Sequence, residues 1–252
     1  METNSAIPRR QFGKTNVKFS ALALGGHHLG AARVGTALKG KRDQAIVMTK
    51  VYTHSRKKDV AMRQLEESLG RLQTDHLDVW QVHEVIYYND PELAYASDGV
   101  LEALTAAKQQ GKVRLVGFTG HKNPAVHGHA QSRIRVDTVQ MPINPFDPSF
   151  RSFEREVLPV AVQNGMAVFS MKSMGGSGEA IVHGALTPTE ALNYAMSVPV
   201  FPRSSPGDSM TVLDQNLQIL HDFIRSTRSK WRNCANTAAP SMKGTTSCSK
   251  AR

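Results

Sequence analysis

The chain has 252 residues, 40% of them apolar, and a formal net charge of +10. That length suits one large α/β domain or two small ones, and the apolar share is enough for a core, so the chain need not be disordered. No run approaches the roughly eighteen apolar residues of a membrane span; METNSAIPRR lacks the apolar stretch of a secretory signal, and Cys234 and Cys248, both near the end, imply no disulfide framework, so a reducing, cytoplasmic setting is expected.

In chain order, IPRRQFGKTNVKF (7–19) reads as a hairpin turning at Gly13-Lys14-Thr15-Asn16, and SALALGG (20–26) as the first buried strand. The connection HHLGAARVGTALKGKRDQ (27–44) has room for one crossover helix and holds no strand. IVMTKV (46–51) is the next strand. VAMRQLEESLGRL (60–72) follows as a helix with Val60, Met62, Leu65, Leu69 and Leu72 near one face. LDVWQVH (77–83) is a strand, and DGVLEALTAAKQQGKV (98–113) a helix with Asp98 as N-cap and Gly111 as its stop. Strands VRLVGFTG (113–120) and DTVQMPI (137–143) precede a helix, FRSFEREVLPVAVQNGM (150–166), ending at Asn164-Gly165. MAVFSMKS (166–173) is a strand. LTPTEALNYAMS (186–197) opens with a capping box, Thr187 as N-cap and Glu190 three residues on. SVPVFP (197–202) is the last strand and MTVLDQNLQILHDFI (210–224) the last helix. From Arg225 to Arg252 there are seven basic residues and no acid, which leaves +3 on the rest. The division expected is therefore a barrel domain over 1–224 and a basic, disordered tail over 225–252, with no nucleic-acid motif and no specific nucleic-acid partner.

Strand and helix alternate without a compositional break, and the strands are continuously apolar, as parallel strands buried on both faces are. No G-x-G-x-x-G follows the first strand, so the dinucleotide fingerprint of an open sheet is absent. Polar residues stand at the ends of several strands: Lys50, His83, Thr119, His121, Gln140, Asn144 and Lys172. Such dispersal is the pattern of a TIM-type (β/α)8 barrel, whose site lies at the C-terminal rim. Seven strands are recognisable where a regular barrel has eight, so the barrel is expected to be incomplete, with the N-terminal hairpin ahead of it.

The blocks IPRRQFGKTNVKFSALALGG, MTKV, LEESLGRLQTDHLDVWQVHE, AAKQQGKVRLVGFTGHK and VQMPIN, in that order, give the chain a resemblance to the aldo-keto reductases over roughly residues 7 to 222. The resemblance implies NAD(P)H-dependent reduction of an aldehyde or ketone to an alcohol, without a metal and with NADP ahead of NAD. Lys50 and His83 match the family's catalytic lysine and histidine. Its Asp and Tyr, in an F-D-x-A-x-x-Y pattern after the second strand, have no counterpart; the place for them falls within 27–44, where a helix, a strand and a catalytic loop are missing by this comparison. Tyr52, Tyr87 and Tyr88 are the nearby tyrosines that could substitute. On the cofactor side, Thr119 with Gly120 stands where a carboxamide-binding pair is usual, without its Asn, and Gln140 matches the nicotinamide-amide glutamine, followed by Asn144. Lys172 and Ser173 open the pyrophosphate loop; Gly207, Asp208, Ser209, Gln215 and Asn216 match the segment around the adenosine phosphate.

Plainer readings stand beside these. Lys50 alone could be a snorkelling strand-end lysine, His83 a core histidine and Gln140 a cap on strand backbone. Gly175-Gly176-Ser177-Gly178 lacks the Lys-Ser/Thr of a phosphate loop and reads as a flexible rim loop. Two other functions fit the strand ends. One is a nucleotide-binding remnant without turnover. The other is a metal-dependent barrel hydrolase built on His27, His28, His83 and His121 with Glu84 adjacent and Lys50 nearby, though no H-x-H pair and no late catalytic Asp can be placed at those strand ends. Substrate identity and oligomeric state are not legible.

Overall fold

The structure, a computed structural model, describes residues 9–20, 22–26, 29–52, 56–176, 178–204 and 209–223. His27, His28, Gly207, Asp208 and the basic stretch 225–252 therefore lie outside the described residues. Contacts divide the chain into two compact units, residues 26–140 in one and residues 1–25 with 141–252 in the other. No helix among the described residues is long and apolar enough to cross a membrane.

The first described elements are β1 (Arg9–Gln11) and β2 (Lys18–Ser20), an antiparallel pair, and then β3 (Ala23–Leu24). The hairpin turns at 13–16 as expected, and Gly13 takes a φ of +56° there. The opening strand is shorter than SALALGG implied: Ser20, read as its first residue, ends β2, and β3 covers Ala23–Leu24 alone.

The middle unit follows: α1 (Ala31–Leu38), β4 (Met48–Val51), α2 (Lys58–Leu72), β5 (Leu77–Val82), α3 (Asp90–Tyr95), α4 (Val100–Gln109), β6 (Val113–Thr119), α5 (Pro124–Arg133) and then β7 (Thr138–Pro142), whose last two residues pass into the other unit. β4, β5, β6 and β7 pair in that order, all parallel. Between β3 and β4 the described chain holds α1, a short 3-10 turn and no strand, as the missing βα unit required. Every residue of β5 and β7 is buried, the mark of a sheet covered on both faces. α2 buries Leu65, Leu69 and Leu72 as read; in its first turn Ala61 is buried in place of Val60 and Met62, which are only partly covered. Asp78, buried in β5, accepts from Val47 N at 2.9 Å, Arg42 Nη2 at 2.9 Å and Arg114 Nη1 at 2.7 Å. The last Asp of the T-D-x-L-D block thus ties three segments together and is structural. Gly99, not Asp98, precedes α4, because Asp98 is drawn into an ion pair with Lys57.

The other unit continues with α6 (Phe153–Glu156), α7 (Leu158–Gln163), β8 (Ala167–Met171), α8 (Glu179–Val182), α9 (Pro188–Ser197), β9 (Phe201–Ser204) and α10 (Met210–His221). β3 and β8 both pair with β9 in parallel, through the register pairs Ala23 with Arg203 and Phe169 with Phe201. Where one helix was expected over 150–166 there are two. Pro159 has no N–H and its ring crowds the carbonyl four residues back, so the helix stops at Glu156 and restarts with Pro159 in its first turn. The capping box of α9 forms as read, with Thr187 and Glu190 exchanging side-chain bonds. α9 keeps Ser197, and Val198-Pro199 then turns the chain, so β9 begins at Phe201 rather than 197. The hairpin anchors this unit. Phe12 stacks on Phe19 at 3.9 Å, and Phe12 lies 5.1 Å from both Phe169 and Phe201. A Cβ on Gly13 would stand 2.6 Å from the Gly165 carbonyl, so only glycine lets the turn approach this closely.

Candidate active site

The middle unit carries a polar face built by strand register. Lys50 on β4 lies opposite Gln81 on β5, Gln81 opposite Gly117 on β6, and Gly117 opposite Thr138 on β7. Two residues further along, His83 N donates to the Val51 carbonyl at 3.0 Å, and Thr119 pairs with Gln140. Side chains two apart on a strand share a face. Lys50, Gln81 and Thr138 therefore share one face with His83, Thr119 and Gln140. Gly117 leaves the gap that Gln81 Nε2 crosses to donate to Thr138 Oγ1 at 2.9 Å; a side chain at 117 would collide with Thr138.

His83 is held from two sides. Its Nδ1 lies 3.0 Å from Thr119 Oγ1, which also accepts from Glu84 N at 2.9 Å. Glu84 takes a left-handed φ of +52°. Arg56, buried just ahead of α2, donates to the carbonyls of His83 (3.2 Å) and Glu84 (3.0 Å) and pairs with Asp90 Oδ1 at 3.0 Å. The other Asp90 oxygen accepts from Ile86 N and Tyr87 N at 2.7 and 2.9 Å. A buried ion pair is sustained only when such bonds satisfy its remaining atoms. Here they fix the backbone that presents the imidazole.

Gln140 is 0% exposed, and neither atom of its side-chain amide has a hydrogen-bond partner. Gln81 Oε1 is likewise buried without one. An unpaired buried polar group costs about 1–3 kcal/mol. These atoms thus mark where a polar ligand would restore what folding removed. A primary carboxamide, with one donor end and one acceptor end, complements the Gln140 amide.

Behind the rim, His127 on α5 packs its ring 4.7 Å from Phe118, and burial lowers its pKa from 6.5 to about 4. A Cβ on Gly120 would stand 2.7 Å from the Val85 carbonyl and 2.9 Å from the His127 ring. That packing leaves no room for an Asn at 120. Tyr52 is exposed, with its ring edge-on to His83 at 6.3 Å between centroids; Tyr87 and Tyr88 are exposed, and Lys122 stands 5.3 Å over the Tyr87 ring.

The remaining expected residues belong to the other unit. Asn144 donates from Nδ2 to the Lys172 carbonyl at 3.2 Å and accepts from Phe146 N at 3.0 Å. Lys172 takes a left-handed φ of +55°, and Ser173 is buried with its Oγ 3.4 Å from Ser170 Oγ. Ser209 caps α10, accepting from Val212 N at 3.4 Å. On that helix Asn216 is buried and Gln215 exposed, so the two do not face the same surroundings. No group of three His, Cys, Asp or Glu residues that could hold a metal occurs among the described residues.

Arg56, Gln81 and Asp90 were missed by sequence reasoning. Gln81 was legible in principle, two residues before His83 on one strand. Nothing local distinguishes Arg56 from the lysines that follow it.

Parallel βα units with a polar rim at the strand ends define an incomplete TIM-type barrel protein. Comparison with known proteins makes the assignment specific. The aldo/keto reductase family model matches residues 28–196. The chain is similar to the aldo-keto reductase YhdN of Bacillus subtilis (strain 168), at 31% identity over 142 residues, covering 52% of this chain and 40% of that protein. It superimposes on the aldo-keto reductase AKR11C1 of Bacillus halodurans in its holo form with a TM-score of 0.75 and 19% identity, covering 92% of this chain and 96% of that one. An aldo/keto reductase of Klebsiella pneumoniae in complex with NADP and acetate gives a TM-score of 0.70 at 20% identity, covering 89% and 93%. The chain belongs to the aldo/keto reductase family. Its matches to the first curated relatives span 40% to 66% of their own lengths.

Proposed function

We propose that the chain is a cytoplasmic NAD(P)H-binding oxidoreductase that reduces the carbonyl of a small aldehyde or ketone, with NADPH ahead of NADH. The observation that carries the reading is the buried, unpartnered amide of Gln140 on the face that also holds Lys50 and His83. The Klebsiella relative's complex with NADP supports the choice of cofactor. In this reading Gln140 takes the nicotinamide carboxamide beside Thr119. Asn144, Lys172 and Ser173 serve the pyrophosphate side, and Gly207, Ser209, Gln215 and Asn216 the adenosine phosphate. The cofactor supplies hydride when bound. The Lys50 ammonium lowers the energy of negative charge developing on the carbonyl oxygen, and the His83 imidazole orients that oxygen.

The chain has no tyrosine between Gly26 and Val51, so the acid implied by the family is missing from its usual place. General acid catalysis contributes ~10²–10⁴-fold, so turnover is expected to fall short by about that factor. That same absence favours a second reading, in which nucleotide binds and no carbonyl is reduced. Fluorescence titration with NADPH and NADH, followed by an aldehyde and ketone panel monitored through cofactor absorbance, separates the two. Binding with slow turnover supports the first; binding without turnover supports the second; no binding of either nucleotide sinks both.

A further inference from the structure

We propose that Thr119 is a positioning residue that holds the neutral imidazole of His83 in a single tautomer, with its proton on Nε2. The inference deepens the reading of His83 as the carbonyl-orienting group and rests on it for its purpose; the tautomer itself can be observed without any ligand.

The argument is one of hydrogen-bond capacity. A threonine hydroxyl has one proton to give and two lone pairs. Thr119 Oγ1 is fully buried, so water does not serve it. It has two partners. Glu84 N, at 2.9 Å, is a backbone N–H and can only donate, so it takes a lone pair. His83 Nδ1, at 3.0 Å, is the other. Among the described residues the hydroxyl proton meets no other acceptor. If Nδ1 carried a proton, three hydrogens would converge on one oxygen and the buried hydroxyl proton would be left without an acceptor, at about 1–3 kcal/mol. If Nδ1 presents its lone pair, it accepts the hydroxyl proton, and each hydrogen meeting at Thr119 Oγ1 has an acceptor. The neutral ring then carries its proton on Nε2, because the bond made by one ring nitrogen decides the state of the other.

The geometry holds because neither partner is loose. Thr119 ends β6 in register with Gln140, and its carbonyl accepts from Val85 N at 2.7 Å. Arg56 grips the carbonyls of His83 and Glu84, which keeps Glu84 N aimed at the hydroxyl. The result is a neutral N–H donor on the ring, suited to a carbonyl oxygen. The same commitment takes the Thr119 hydroxyl proton, so toward a carboxamide the hydroxyl keeps one lone pair and can only accept. In this chain, then, Thr119 serves His83.

The test is nitrogen-15 NMR of the imidazole rings of the intact chain at a pH where His83 is neutral, with His83→Gln assigning the signals. The wild type should show a pyridine-type Nδ1 and a pyrrole-type Nε2 for His83. Thr119→Ser should keep that pair. Thr119→Val should lose it, the two nitrogens moving toward intermediate shifts as the tautomers mix. A pyrrole-type Nδ1 in the wild type overturns the proposal, as does a Thr119→Val spectrum identical to the wild type. Should the valine variant fail to fold, the wild-type and serine spectra decide alone. NADPH titration of the same samples keeps the two ideas apart. The expected tautomer without NADPH binding would sink the oxidoreductase reading only, and NADPH binding with the proton on Nδ1 would sink this proposal only.

Discussion

The hairpin end of one unit and the strand-end face of the other are both buried, yet they are built from opposite materials. At the hairpin, Phe12, Phe19, Phe169 and Phe201 pack ring against ring with nothing left to satisfy. At the strand ends, Gln81 and Gln140 are buried with amide atoms that have no partner. The first arrangement only stabilises. The second lowers stability while the site is empty, and a ligand of matching polarity recovers that loss. A fold selected for stability alone has no reason to retain the second, which is why the polar face, rather than the larger aromatic cluster, is read as the functional one.

The contrast is most easily broken at the aromatic end. Phe12→Ala should destabilise the protein by about 3–5 kcal/mol, because it removes a fully buried ring and leaves a cavity among three others. Denaturant unfolding measures this; a loss under about 1 kcal/mol would mean the cluster is not the anchor described.

A second effect comes from behind the polar face. His127 has its folded pKa depressed from 6.5 to about 4 by burial, so between those values the unfolded chain binds a proton that the folded chain does not. Stability is therefore full above about pH 6.5 and falls as the pH drops toward 4, by at most about 1.4 kcal/mol per pH unit. His127→Leu should flatten that slope in pH-dependent unfolding. An unchanged slope would assign the acid sensitivity elsewhere.

Smaller effects sharpen the difference between the two regions. Gln140→Leu removes an unpaired buried amide and should leave stability unchanged or raise it by about 1–2 kcal/mol, where most core substitutions lower it. A clear drop in thermal midpoint would show that the amide is satisfied after all. Thr187→Ala, at the capping box of α9, should cost about 1 kcal/mol, measured by the same unfolding curves.

Legibility followed the range of the interaction. Lys50 and His83 stand out because each is a polar side chain near the C-terminal end of an apolar strand run, and the capping box because its two residues are three apart. Pro159 was visible in the text, but its power to split the helix was outweighed by the apolar periodicity on either side. α5 was overlooked although Asn123-Pro124 is a start signal, since Gly128 and the paired histidines blur its period. Arg56 was out of reach: in SRKKDV it looks like a solvated basic run, and its burial is set by Asp90 and two carbonyls some thirty residues on. The bond between His83 and Thr119 likewise depends on strand register, which local pattern does not contain.

The most direct test of the polar face as a nicotinamide site is fluorescence titration of the intact chain with NADPH beside the Gln140→Leu variant. Saturable binding that weakens roughly tenfold or more in the variant is the expected result, since two hydrogen bonds are lost without loss of fold. No saturable binding by the wild type, or equal affinity in both proteins, would contradict it.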